Sequence, residues 1–142
     1  MSAEQNKSII RRWVEQGWNQ GKVAVVDELY AADVVQHDPS SPVSVNSADA
    51  LKQYVAGFRS AMPDLQFSID DLLAEGDKVL WRFTSRGTHN GPLMGIPATG
   101  RSANVTGMVL FRLANNKIVE VWVNFDTLGM LQQIGVIPMP NA

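Results

Sequence analysis

Lys117-Ile118-Val119-Glu120-Val121-Trp122-Val123-Asn124-Phe125-Asp126-Thr127-Leu128-Gly129 is the stretch on which the fold turns. It opens as a strand: Ile, three Val, Trp and Phe fall within Lys117 to Phe125 beside a single acid, a composition that suits a pleated, half-buried surface. From Thr127 the period changes. Leu128, Leu131 and Ile134 follow at helical spacing, and Gly135 stops the turn. A strand that runs into a closing helix puts its last side chains at the mouth of whatever the sheet encloses.

Two further strands precede it, Val79 to His89 and Ala103 to Leu113, with Asn115-Asn116 as a tight hairpin turn before the strand Ile118 to Phe125. Side chains alternate along a strand. The odd positions Val79, Trp81, Phe83, Val105, Gly107, Val109, Phe111, Val119, Val121, Val123 and Phe125 are all apolar or glycine. The even positions mix Arg82, Thr84, Glu120 and Asn124 with Met108, Leu110, Ile118 and Trp122. The odd face is therefore expected under helices. The even face is expected to be half exposed or covered by a second copy of the chain, since so much apolar surface is large for a monomer. Arg82 and Glu120 share that face and read as a cross-strand ion pair.

Upstream the pattern is helical. Ser2 to Gln5 has capping-box spacing, and Ile9, Ile10, Trp13, Val14 and Trp18 repeat at three and four residues up to Asn19-Gln20-Gly21. A short helix is expected over Val23 to Tyr30. A third, starting near Ser47 or Asp49, carries Leu51, Tyr54, Val55 and Phe58 on one face and ends at Pro63. Leu65, Phe67 and Ile69 alternate as a strand, Glu75-Gly76-Asp77 is a turn, and Gly91 to Gly100, with three glycines and two prolines, is a loop of constrained shape. Helices followed by a run of antiparallel strands make an α+β fold. The length, 142 residues without repeats or a linker, gives one domain over 1–142.

Composition narrows the function. The chain is 45% hydrophobic and 18% charged with net charge −2. There is no basic field for a phosphate backbone, so nucleic acid is not an expected partner. No cysteine is present, which removes thiolate chemistry, disulfides and Cys-ligated metals and fits a reducing, cytoplasmic location. Neither a signal peptide nor an apolar run of membrane-spanning length is apparent. The titrating candidates are His37, between an apolar run and Asp38-Pro39, and His89, at the end of its strand on the odd face. The two lack metal-ligand spacing. Asp126 opens the last helix and reads first as its N-cap.

Several segments together carry a resemblance: Phe58-Arg59-Ser60-Ala61-Met62-Pro63-Asp64-Leu65, Glu75-Gly76-Asp77-Lys78-Val79, Gly87-Thr88-His89-Asn90-Gly91, Met94-Gly95-Ile96-Pro97-Ala98-Thr99-Gly100-Arg101, Lys117 to Trp122, and Leu131-Gln132-Gln133-Ile134-Gly135. In this order and spacing, over nearly the whole chain, they resemble the SnoaL-like polyketide cyclases, a branch of the nuclear transport factor 2-like superfamily. The resemblance implies a cone-shaped α+β barrel: three N-terminal helices packed in a curved antiparallel sheet, a short C-terminal helix, an internal pocket and often a homo-oligomer. It also implies a ring closure without metal or cofactor, in which an aspartate on the last strand removes a proton beside a carbonyl and pocket histidines assist.

The aspartate's place falls at Val123 and that of its partner histidine at Val109, so both positions are valine here. The early pocket histidine matches His37, and the aromatic residue ending the first helix matches Trp18. The expectation is a cofactor-independent cyclase or isomerase acting on a polyketide-like or other apolar carbonyl substrate. Its base is sought in His37, with Asp126 as an orienting group. The expected ligand-contacting set is Trp18, Phe58, Trp81, His89, Met94, Val109, Val123 and Phe125, with Gly91 to Gly100 as a lid. The alternatives are a non-catalytic binder of an apolar small molecule and a shape catalyst of a pericyclic closure. The expected assembly is a homodimer through the even sheet face.

Overall fold

The structure is a computed structural model and describes residues 2–139. Helix α1 (Ala3–Arg12) begins with the capping box expected from Ser2 and Gln5: Gln5 N donates to Ser2 Oγ at 3.1 Å and Ser2 N to Gln5 Oε1 at 2.8 Å. It continues as a π-helical segment, Trp13–Asn19, with Gln20 N donating to the Glu15 carbonyl. The wider turn brings both Trp13 and Trp18 into the core. A Cβ on residue 17 would overlap the Trp13 ring, so Gly17 is the residue over which that indole lies. A 3₁₀ turn (Val23–Val25) leads into the short α2 (Val26–Leu29). Helix α3 (Ala48–Ala61) starts at Ser47, whose hydroxyl accepts from Ala50 N. Arg59 ties these parts together, donating to the carbonyls of Trp18 at 2.7 Å and Leu65 at 2.9 Å.

The sheet has six strands: β1 (Tyr30–His37), β2 (Gln66–Phe67), β3 (Asp71–Glu75), β4 (Lys78–Thr88), β5 (Ser102–Ala114) and β6 (Lys117–Phe125). Their order is β1-β6-β5-β4-β2, with β3 also on β4. Helix α4 (Thr127–Gln133) closes the fold. The arrangement is the expected α+β one, with helices against a curved, open sheet. Two strands go beyond the sequence reading: β1, which joins β6 in parallel and takes Tyr30 from the expected short helix together with the Val34-Val35-Gln36-His37 run, and β3, which leads into the Glu75-Gly76-Asp77 turn. Tyr30 therefore opens a strand instead of ending a helix. Among the described residues no helix is long and apolar enough to cross a membrane.

The β5–β6 hairpin turns through Asn115 and Asn116, both at positive φ (53° and 64°), as a two-residue turn of this hand requires. It sets Val109 opposite Val123 and Phe111 opposite Val121. Val79, Trp81, Phe83, Val105, Val109, Phe111, Val121 and Val123 are all buried, as the odd/even split predicts. Parity breaks once. Arg112 pairs with Glu120 but Leu113 pairs with Ile118, so β6 spends one extra residue there. Such a bulge swaps the faces beyond it. Ile118 is accordingly fully buried, and the expectation that it joins the outer patch is corrected.

The outer ion pairs also differ from expectation. Arg82 stands opposite Asp71 on β3 and bonds to it at 2.6 Å. Glu120 accepts from its direct cross-strand neighbour Arg112 at 3.1 Å and bonds His37 Nε2 at 2.8 Å. Arg82 and Glu120 are not partners because register, not shared face alone, chooses the pair.

Two outcomes test this account. Gly17→Ala forces a methyl against a buried indole, a cost of about 1–3 kcal/mol, and should lower Tm by roughly 3–10 °C in a chain of this size. The second concerns Glu120, whose carboxyl is held below its usual range by the His37 hydrogen bond first and by Arg112 after it. A depressed carboxylate contributes stability above its unfolded pKa, about 4.3, and loses it as pH falls through the lower folded value. The Tm advantage of wild type over Glu120→Gln should thus be present at neutral pH and shrink below about pH 4.

Candidate functional site

Between the helices and the odd face of the sheet lies a cavity of about 60 Å³, room for roughly four or five waters at about 10–15 Å³ each. Its walls are aromatic. Trp18 sits 4.8 Å from Phe67, which lies 5.0 Å from Phe83 and 5.4 Å from Trp81. On the other side Phe58 meets Tyr54 at 5.2 Å and Phe125 at 6.3 Å. Backbone recognition places the Trp18–Phe67 contact: the Asn19 side chain accepts from Phe67 N at 2.7 Å and donates to its carbonyl at 3.0 Å. Gly107 makes room on β5, where a Cβ would stand 2.5 Å from Phe83 and 2.7 Å from Phe125. Val109, Val121 and Val123 complete the sheet wall.

Tyr54 and Phe58 also line a second concavity of about 310 Å³, an outer cleft walled by the Asp38–Val45 segment, α3, and Pro92, Leu93 and Met94. These two rings therefore stand where the cleft meets the cavity.

Few polar groups reach the cavity wall: Gln36, Tyr30, Tyr54 and Ser85. The Tyr54 hydroxyl donates to Asp38 Oδ2 at 2.7 Å, and Asp38 Oδ1 accepts from both the backbone N and the hydroxyl of Ser40. Burial, and then the neighbouring Asp38 charge, pushes the Tyr54 phenol well above its ordinary pKa; burial does the same to Tyr30. Both phenols stay protonated at neutral pH. Ser85 Oγ bonds the Val105 carbonyl, and Trp81 Nε1 donates to the Ser68 carbonyl. No carboxylate, imidazole, ammonium or guanidinium from the described residues lines the cavity. It can desolvate and shape an apolar molecule, and it offers no group that takes a proton near pH 7.

Of the residues expected around a ligand, Trp18, Phe58, Trp81, Val109, Val123 and Phe125 all lie on the cavity wall, with Val109 and Val123 side by side. The others lie elsewhere. His37 is on the outer sheet face, exposed, stacked on Trp122 at 5.5 Å and bonded to Glu120. Its placement in the pocket is corrected: on β1 the side chains alternate, and it is Gln36 that pairs with Val121 and faces inward. Asp126 caps α4, accepting from Gly129 N at 2.8 Å, and is not among the residues of the cavity wall. His89 is fully buried but off the wall, its Nδ1 bonded to Thr99 Oγ1 at 3.0 Å. Met94 lines the outer cleft, not the cavity. Its loop is pinned to the end of α3 by Asn90 N and Gly91 N, both donating to the Ala61 carbonyl.

Gln36, Tyr30 and Tyr54 were missed as site residues. Reading Tyr30–His37 as a strand would have found Gln36 by parity with Val34, but Val34-Val35 hides the alternation. Among the described residues, no group of three or more His, Asp and Glu side chains gathers as metal ligands would.

No curated protein matches the chain in sequence. Solved structures do. AclR from Streptomyces galilaeus, provisionally named a hydroxylase, is 27% identical with a TM-score of 0.86, covering 99% of this chain and 87% of its own. IdmH from Streptomyces antibioticus, provisionally named a polyketide cyclase, is 30% identical with a TM-score of 0.78, covering 93% of this chain and 99% of its own. A protein from Acidithiobacillus ferrooxidans with the same provisional name is 29% identical with a TM-score of 0.82, over 94% of this chain and 97% of its own. The model of one family matches residues 8–134, spanning every strand and α3, and with that match the chain belongs to the SnoaL-like polyketide cyclase family.

Proposed function

We propose that the protein is a ring-closing catalyst for a flexible apolar carbon chain and that it works by conformation instead of by a base. One observation carries this: the two positions at which the family's proton chemistry would be expected, Val109 and Val123, are paired valines in the cavity wall. A general base must come within about 2.6–3.2 Å of the proton it takes. His37 is on the other side of the sheet, and Asp126 is engaged as a helix cap.

A closure that needs no base is the addition of a diene to an alkene within one chain. Two carbon–carbon σ bonds form, three π bonds become one, and no proton leaves. Such a reaction is limited by the rarity of the folded conformer, and holding that conformer is what a rigid aromatic cavity contributes. The outer cleft, meeting the cavity at Tyr54 and Phe58, gives a longer chain somewhere to extend. A reading as a binding module alone shares the cavity but lacks the rate effect.

A second proposal concerns assembly. Met108 is 49% exposed on the outer face, with Leu110 and Trp122 half-buried near it. A second copy covering this face in a symmetric dimer would remove that surface from water.

The catalytic proposal is tested with 1,7,9-decatrien-3-one, which closes slowly in buffer to a bicyclic ketone. The protein should speed closure by on the order of 10²-fold or more, with a rate flat from pH 5 to 9 and unchanged in His37→Ala and Asp126→Asn. An inflection lost in Asp38→Asn would instead place proton transfer at the cavity mouth. Tight binding without acceleration would leave only a binding module. For the assembly, sedimentation at about 100 μM should show a dimer that Met108→Glu dissociates, since an unpaired charge does not tolerate burial.

A further inference from the structure

Three buried side-chain atoms among the described residues have no protein partner: Asn6 Oδ1, His89 Nε2 and Gln36 Nε2. Asn6 lies on α1 and spends its amide N–H on the Gly76 carbonyl. His89 is buried away from the cavity wall, its other nitrogen held by Thr99. Gln36 alone of the three lines the cavity. Buried donors are almost always paired, by protein, water or ligand, so an orphan in a pocket wall marks a place where something else accepts.

The strand holds this amide in position. Gln36 N donates to the Val45 carbonyl at 2.8 Å, and the residue stands in register with Val121 on β6. The side chain cannot turn outward without reversing the alternation that puts His37 outside. Three other donors on the wall are already committed, Tyr54 to Asp38, Trp81 to Ser68 and Ser85 to Val105; the Tyr30 hydroxyl and the indole N–H groups of Trp13 and Trp18 also belong to wall residues, so the test must separate Gln36 from them.

We infer that Gln36 orients the ligand by donating its amide N–H to a carbonyl oxygen, so that the cavity selects an apolar chain bearing a ketone or ester carbonyl conjugated to the carbons that react. This rests on the reading of the cavity as an apolar ring-closing site and adds the one polar feature of its substrate. A neutral donor suits a site without a base. It draws electron density from the conjugated alkene and fixes which face meets the diene, and no proton is transferred. It also rejects the corresponding hydrocarbon, because that ligand leaves the amide buried and unpaired.

Three tryptophans, Trp13, Trp18 and Trp81, line the cavity, so fluorescence quenching reports binding. The probes are 1-tetralone and tetralin, of nearly equal shape, with and without the carbonyl. Wild type should bind the ketone about tenfold tighter, equivalent to about 1.4 kcal/mol, and the ratio should fall to about one in Gln36→Met. The carbonyl stretch of bound 1-tetralone should move to lower frequency in wild type and return in the variant. Equal binding of the two probes by wild type, a preference that survives in Gln36→Met, or an unshifted carbonyl would each overturn the inference while the apolar cavity stands. Binding of neither probe would overturn the cavity reading and the inference with it. Should Gln36→Met fail to fold, the side-chain amide resonance of Gln36 in wild type decides: it should shift with 1-tetralone and not with tetralin, and equal or absent shifts overturn the inference.

Discussion

The register of the β5–β6 hairpin is the constraint on which the rest depends. A two-residue turn at Asn115-Asn116 leaves no slack, so each residue of one strand has a fixed neighbour on the other. Because side chains alternate, a slip of β6 by one residue against β5 would move Val121 and Val123 from the cavity to the solvent and bring Glu120 and Trp122 inside. The apolar content of one face against the charges of the other makes that slip too costly to compete. The bulge at Arg112/Leu113 is the one place where the alternation yields, and it yields to put Ile118 against the core beside Tyr30.

The helices answer to that sheet. The π-helical segment and Gly17 let two indoles descend onto the sheet face from a single turn region, and Asn19 and Arg59 fix the end of that segment to β2 and to the turn after α3. The result is an aromatic wall stiff enough to keep space open. Rings of this size bury much area while losing little conformational freedom, which is how a domain of this length keeps a stable core around a cavity it does not fill.

The chemistry follows from what the wall excludes. Charged groups stay off it: Glu120, Arg112 and His37 pair on the outer face, and at the rim Asp38 accepts a hydrogen bond from the Tyr54 hydroxyl. Inside, both phenols are held protonated by burial. A site of this kind orders a molecule by shape and by single hydrogen bonds, which is the common basis of the ring-closing proposal and of the role given to Gln36.

The sequence by itself determined the α+β class, the capped first helix, the hairpin and the inward face of β4, β5 and β6, because those features arise from local propensity and period-two alternation over long strands. It also marked Trp18, Phe58, Trp81 and Phe125 of the wall and the valines at 109 and 123. Tertiary structure decided the rest. β1 is eight residues long and pairs in parallel with a strand about ninety residues away, and Val34-Val35 blurs its alternation. Which of Gln36 and His37 faces the cavity was therefore settled only by that pairing. The partner of Glu120 was likewise settled by register, since a shared face permits several ion pairs and direct opposition selects one. Ile118 was turned inward by a bulge that no local pattern announces. In each case the deciding contact joins residues distant in the chain, and a one-residue change in alignment reverses the answer.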